Sequence, residues 1–262
     1  MFERAITGLI FIIVVVTALM LGLETTILLF MVVAGIGLWE YLGFLKEDRK
    51  DLLTMIIGLI IYSLNGLVVM ELLDPKALFL IPFLLFIPII KALMNTKEDA
   101  FRMAAAKIFG IIYIIGPLSL TLYLYGILGL NHKIILSVLI LIWTNDTMAY
   151  LVGSQIGKHK LYERISPKKT WEGAVGGILF CLGASIFVND NLAPIGIFHW
   201  LILALIISIT GIIGDLVESM IKRSVGVKDS GSIMPGHGGV LDRFDAFIFV
   251  IPFVFTYCKL FL

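Results

Sequence analysis

Between Gly214 and Asp245 an otherwise apolar chain becomes dense in carboxylates, cations and glycines. Asp215, Glu218 and Lys222 stand at i, i+3 and i+7, the spacing of one helix face, with Ser219 and Arg223 beside them. Asp242 and Asp245 repeat the i, i+3 step at the start of the next apolar run, with Arg243 between them. Lys228 and the turn Pro235-Gly236-His237-Gly238-Gly239 lie in between. Carboxylates in this pattern suit a hard divalent cation: Mg²⁺ commonly takes one or two of them and completes its shell with water and substrate phosphates. Lys222, Arg223, Lys228 and Arg243 suit a polyphosphate, and Gly236, Gly238 and Gly239 allow backbone to approach one. His237 reads either as a phosphate donor or as a turn residue. The plainer account of Asp242 and Asp245 is an acidic pair answering a helix dipole. Two acidic pairs on either side of a short glycine turn favour the cation.

Two further clusters carry the same theme. Asp146, Tyr150, Gly153 and Gly157 share a helical face near the end of an apolar run. The glycines alone read as helix packing, whereas an acid within a span is a functional candidate by default. The loop Ser166-Pro167-Lys168-Lys169-Thr170-Trp171-Glu172-Gly173 has Ser166 as an expected helix cap and Pro167 in the first helical turn. That reading puts Lys168, Lys169 and Thr170 at a helix N-terminus, where free N–H groups and ammonium groups make an anion site. Glu172 either closes the cap or holds a cation. The plainer alternative is a basic cytoplasmic loop with a good cap.

Other chemistries lack their residues. There is no Gly-x4-Gly-Lys-Ser/Thr phosphate loop, no Ser-His-Asp pattern and no His-rich zinc pattern. Cys181 and Cys258 both sit in apolar runs, where membrane packing is the simpler role.

The elements that must hold these residues are membrane helices. The chain has 262 residues, 60% hydrophobic and 15% charged, against about 45–50% and 25% in soluble domains. Its net charge of +1 leaves partners undetermined, and no nucleic-acid partner is expected. Spanning helices need about 20 apolar residues. Nine segments qualify: 5–22, 25–44, 53–72, 76–94, 105–128, 133–153, 172–189, 196–218 and 243–261. The expectation is an all-α polytopic membrane protein, a single membrane domain over 1–262. Residues 1–128 form its N-terminal helices and 129–262 its catalytic helices and loops. With the N-terminus in the cytoplasm, 17 Lys and Arg fall inside and 3 outside. That asymmetry predicts a cytoplasmic N-terminus, an outer C-terminus and cytoplasmic loops 154–171 and 219–242. The first apolar run reads as a retained helix rather than a cleaved signal. Segment 95–107 is amphipathic and fits an interfacial stretch or a linker equally.

The run from Ser219 through Lys222-Arg223, Lys228-Asp229 and His237-Gly238-Gly239-Val240-Leu241-Asp242-Arg243-Phe244-Asp245 closely resembles the signature of the phosphatidate cytidylyltransferases (CDP-diacylglycerol synthases). Gly214-Asp215, Asn145-Asp146-Thr147 with Ala149-Tyr150, and Ser166 to Gly173 are similar to the same family, so the resemblance is strongest over 143–245. It implies an enzyme of the cell membrane, its active site facing the cytoplasm. CTP and phosphatidic acid would be the substrates, CDP-diacylglycerol and pyrophosphate the products. It also implies a Mg²⁺ requirement, with a second cation as an option, and a homodimer. On that reading Asp215, Asp242 and Asp245 hold metal, with Glu218 and Asp146 as further acids. Lys168, Lys169, Lys222, Arg223 and Arg243 bind phosphates. Ser166, Thr170, Glu172, Ser219, Lys228, His237, Gly238 and Gly239 complete the substrate site. The rival classes are an ion-coupled transporter using Asp146 and Asp215, a cytidylyltransferase for another lipid phosphate, and an inactive scaffold.

Overall fold

The computed structural model describes residues 2–45, 51–231, 233 and 238–262. Helix α1 (Phe2–Leu21) is joined to α2 (Leu23–Phe44) by Gly22, whose φ of 136° suits glycine. Thr25 Oγ1 and Thr26 Oγ1 both donate to Gly22 O, at 3.0 and 2.8 Å, and tie down the turn. Asp51 caps α3 (Leu52–Val69) by accepting from Thr54 N. Asp74 does the same for a 3₁₀ turn (Pro75–Leu80) that leads into α4 (Ile81–Leu93).

From Ala100 the chain is helical without a break to Gly126: α5 (Ala100–Gly110), a π turn (Ile111–Ile115) and α6 (Gly116–Gly126). Pro117 has no N–H to offer the carbonyl four residues back, so the helix widens just before it. The 95–107 segment is not a helix of its own. Its second half begins this long helix. Then follow α7 (His132–Ile156), a hairpin of β1 (Lys160–Tyr162) and β2 (Ser166–Thr170), α8 (Trp171–Asn191), α9 (Ile197–Ser224) and α10 (Leu241–Phe261).

All nine expected spans are helical. By length and composition eight can cross a membrane; the first has a shorter apolar stretch, Ile6–Leu21, among the described residues. Helix α4 packs on α5 but is little buried, with Phe83 and Leu93 exposed. Side chains of this size so exposed are at home in hydrocarbon rather than water. The architecture is that of an all-α polytopic membrane protein, with one departure at the hairpin.

That hairpin corrects an expectation. Ser166 does not cap a helix and Pro167 is not in a first turn: Ser166, Pro167, Lys168 and Lys169 are strand residues, paired with β1 through Tyr162↔Ser166 and Lys160↔Thr170. Proline lacks the N–H of an inner strand but is tolerated in an edge pair like this. Thr170 takes the cap instead, accepting from Gly173 N at 3.2 Å, so the two lysines precede α8.

The chain forms two compact units, residues 1–123 with 229–243 and residues 124–228 with 244–262. In the first, α2 is the central helix, with Phe30, Leu38 and Leu42 fully buried. Tyr41 and Tyr62 donate their hydroxyls to Ala106 O and Ile27 O, which satisfies two polar groups in an apolar interior. In the second, α8 lies against both α7 and α9, and Trp200 is buried with its Nε1 donating to Ala193 O at 2.6 Å. Cys181 and Cys258 are free and buried, as packing residues would be.

Candidate active site

In the second unit three helices each contribute an acid: Asp146 from α7, Asp215 from α9 and Asp245 from α10. Gly214 lets α9 and α10 approach. A Cβ there would lie 2.6 Å from Phe249 Cβ and 3.1 Å from Asp245 O. Asp215, the next residue, is thereby brought near Asp245. The charges of Asp146, Asp215 and Glu218 all act on Asp245, and that of Asp215 acts on Asp146. Strand β2 supplies the counter-charge, with Lys169 Nζ 2.7 Å from Asp215 Oδ2. Ser219 Oγ donates weakly to Asp215 Oδ1 at 3.4 Å, and Asp245 Oδ1 accepts from Ala246 N at 2.7 Å.

Glu218 and Lys222 form a pair one turn apart on α9, Nζ to Oε2 at 2.7 Å, with the Glu218 side chain fully buried. An expected metal candidate is thus already bound to an expected phosphate binder. Buried pairs of this kind add little net stability, but removing one partner strands a charge. Arg223 Nη1 donates to Val227 O at 3.2 Å and closes the end of α9. Lys228 and Lys168 are exposed.

Glu172 turns back onto the chain leaving α7. It accepts from Lys158 N at 3.1 Å and His159 N at 3.2 Å, and it meets His159 Nδ1 at 2.6 Å. Gly153 faces Gly173 of α8, the packing use of its small-residue step. Tyr150 is exposed.

In the first unit Ser230 and Gly239 close on Asp242. Its Oδ2 accepts from Ser230 N and Ser230 Oγ at 2.9 Å and from Gly239 N at 2.8 Å. Gly238 has a φ of 83°, and Arg243 is exposed. His237 lies outside the described residues.

Two acids here escaped sequence reasoning. Glu40, near the C-terminal end of the apolar helix α2, is 2% exposed and accepts from Val240 N, Leu241 N and Ser230 Oγ. Its signal was present, since an acid within a span is a functional candidate. Asp51 is ion-paired to the buried Lys107, with Lys91 at 3.8 Å, beside a cavity of about 90 Å³. Burial opposes ionisation of Asp51. Hydrogen bonds from Lys107 and Thr54 and the charges of Lys107 and Lys91 outweigh it and hold the carboxyl below its usual range.

Among the described residues, no three His, Cys, Asp or Glu side chains converge closely enough to hold an ion unaided. Carboxylate oxygens such as those of Asp146, Asp215 and Asp245 are the donor type a hard cation prefers.

Helices long and apolar enough to cross a membrane, with acids and lysines on three of them, make this a polytopic membrane protein with a charged interior patch. Residues 2–261 match the cytidylyltransferase family, and the chain belongs to it as a nucleotidyltransferase. It is 37% identical to the phosphatidate cytidylyltransferase of Bacillus subtilis, over 99% of this chain and 98% of that protein. It is 35% identical to the phosphatidate cytidylyltransferase of Staphylococcus haemolyticus, over 95% of both. A shorter match, 51% over 47% of each chain, joins it to the phosphatidate cytidylyltransferase of Staphylococcus aureus. The resemblance read from 143–245 therefore extends along the whole chain.

Proposed function

We propose that the protein transfers CMP from CTP to phosphatidic acid, giving CDP-diacylglycerol and pyrophosphate. The observation that carries this reading is the Lys169–Asp215 ion pair within the electrostatic reach of Asp146 and Asp245, in a chain whose full-length relatives bear the name phosphatidate cytidylyltransferase.

A phosphate oxygen of phosphatidic acid attacks the α-phosphorus of CTP. The new P–O bond forms as the bond to the β-phosphate breaks, and pyrophosphate carries the displaced electron pair away. A phosphomonoester is already largely ionised near pH 7, since its second pKa is about 6, so no strong general base is needed. The difficulty is the approach of two anions, and its remedy is positioning with charge neutralisation.

Lys169 is suited to exchange its bond to Asp215 for a phosphate oxygen. Lys222, held by Glu218, presents a second positive charge whose direction is fixed. Arg243, Arg223, Lys168 and Lys228 add positive charge on exposed positions. A Mg²⁺-type cation at Asp215 and Asp245, with Asp146 beside them, would supply positive charge to the reacting phosphates. Asp242 keeps a proposed share in that role through its place three residues before Asp245, while its Oδ2 accepts from Ser230 and Gly239. Ser166 and Thr170 serve by shaping the hairpin, and Glu172 by fixing the turn after α7. The placement of lysines and arginines supports loops that face the cytoplasm, where CTP is available. Two copies of the chain are proposed to form the working unit.

CTP labelled at the α- or the γ-phosphate distinguishes this reaction from others. With phosphatidic acid and the purified protein, the α-label should enter lipid and the γ-label should leave as pyrophosphate. A γ-label in lipid, or transfer to other lipid phosphates but not to phosphatidic acid, would overturn the reading.

A further inference from the structure

We infer that Glu40 is a positioning residue: from α2 it caps α10 and holds the helix start that carries Asp242 and Arg243. This rests on the functional reading above for its consequence, though not for its geometry. Val240 precedes α10, and a valine side chain cannot accept from the free N–H groups of a helix start. Glu40 supplies the missing acceptors from 200 residues away. Its Oε1 accepts from Val240 N at 3.0 Å, and its Oε2 accepts from Leu241 N at 2.8 Å and Ser230 Oγ at 3.0 Å.

Ser230 links this carboxylate to the next. Its Oγ also reaches Asp242 Oδ2, at 2.9 Å, so Glu40, Ser230 and Asp242 form one hydrogen-bonded chain. The approach is so close that a side chain at Gly239 would collide with both Glu40 and Ser230. A buried carboxylate in an apolar helix is costly unless it is hydrogen-bonded. Helix-start N–H groups are what make a buried anion tolerable there. A residue kept only for packing at this position would be apolar.

A carboxylate is required because both oxygens accept. In Glu40→Gln one oxygen becomes an NH₂ group that must face an N–H donor. The full-length protein in nanodiscs is compared as wild type, Glu40→Gln, Ser230→Ala and the double variant. Amide exchange at Val240 and Leu241 and the kcat and KM for CTP are the readouts. Exchange in Glu40→Gln should rise at least about tenfold, and kcat should fall by about tenfold or more with a smaller change in KM. The double variant should lose less than the product of the two single losses, because both act through one chain of bonds.

Unchanged exchange and kcat in Glu40→Gln, or strictly multiplicative losses, would overturn the inference. If Glu40→Gln does not fold, Ser230→Ala, which keeps the carboxylate, must still show faster exchange and a lower kcat. If the wild type transfers no CMP, the functional reading fails. Exchange at Val240 and Leu241 then decides alone whether Glu40 holds the helix start.

Discussion

Lys169 Nζ lies 2.7 Å from Asp215 Oδ2, joining strand β2 to helix α9. Both side chains are partly open, at 26% and 36% exposure, so the pair contributes little to stability, about 1 kcal/mol at most. Its meaning is positional. It sets a movable cation against an acid that belongs to a carboxylate cluster. Lys169→Ala should lower kcat/KM for CTP by about ten- to a hundredfold, through loss of a charge-assisted phosphate contact. The melting temperature should barely move. Steady-state kinetics beside thermal unfolding checks this, and equal kcat/KM in the two proteins would remove Lys169 from the site.

Gly214 is the spacer between α9 and α10. Gly214→Ala places a methyl group against Phe249 and the backbone at Asp245 and Ala246. Overpacking of this kind costs about 1–3 kcal/mol. Activity should fall further than stability alone explains, because Asp215 and Asp245 are pushed apart. A thermal shift without loss of kcat would contradict that coupling.

Glu218 and Lys222 make a different case, a buried pair. Lys222→Ala removes the 2.7 Å cation partner of the buried Glu218 carboxylate and should cost on the order of 3 kcal/mol. The double variant Glu218→Ala with Lys222→Ala should recover part of that loss in denaturation measurements. It should not recover activity if Lys222 binds phosphate. Full recovery of turnover in the double variant would leave the pair a packing role only.

Asp51 offers a test away from the site. Its carboxyl is held below the usual range by Lys107, Thr54 and Lys91 acting against burial. A lowered folded value means that its stabilisation is present above the unfolded value and is lost as pH falls through the folded one. Asp51→Asn should therefore destabilise at neutral pH, where it removes the carboxylate paired with Lys107. The gap from wild type should narrow below about pH 4. Turnover per folded molecule should stay the same. Melting curves across that range are the check, and a constant gap would show that the charge of Asp51 does not matter.

Much of this was legible in the residues. The helices followed from long apolar runs, and the boundaries missed where polar side chains continue a helix. α9 runs on to Ser224 rather than ending near 218, because the i, i+4 pair of Glu218 and Lys222 satisfies itself within the helix. The hairpin was hidden because Lys160–Tyr162 and Ser166–Thr170 are too short to show a period of two. The acids of α7, α9 and α10 were legible as carboxylates among apolar residues. Their convergence was not, since it depends on Gly214 and on the helix contacts. Glu40 was overlooked because its partners lie some 200 residues away, in backbone N–H groups that have no signature in sequence.

The central claim is that the carboxylates from α7, α9 and α10 serve CMP transfer to phosphatidic acid. The most direct measurement is formation of CDP-diacylglycerol from CTP and phosphatidic acid by the purified protein, with and without Mg²⁺, beside Asp215→Asn and Asp245→Asn of verified fold. The account predicts Mg²⁺-dependent product from the wild type and a loss of about a hundredfold or more in each variant. Wild-type turnover in either folded variant would contradict the site, and no product from the folded wild type would contradict the function.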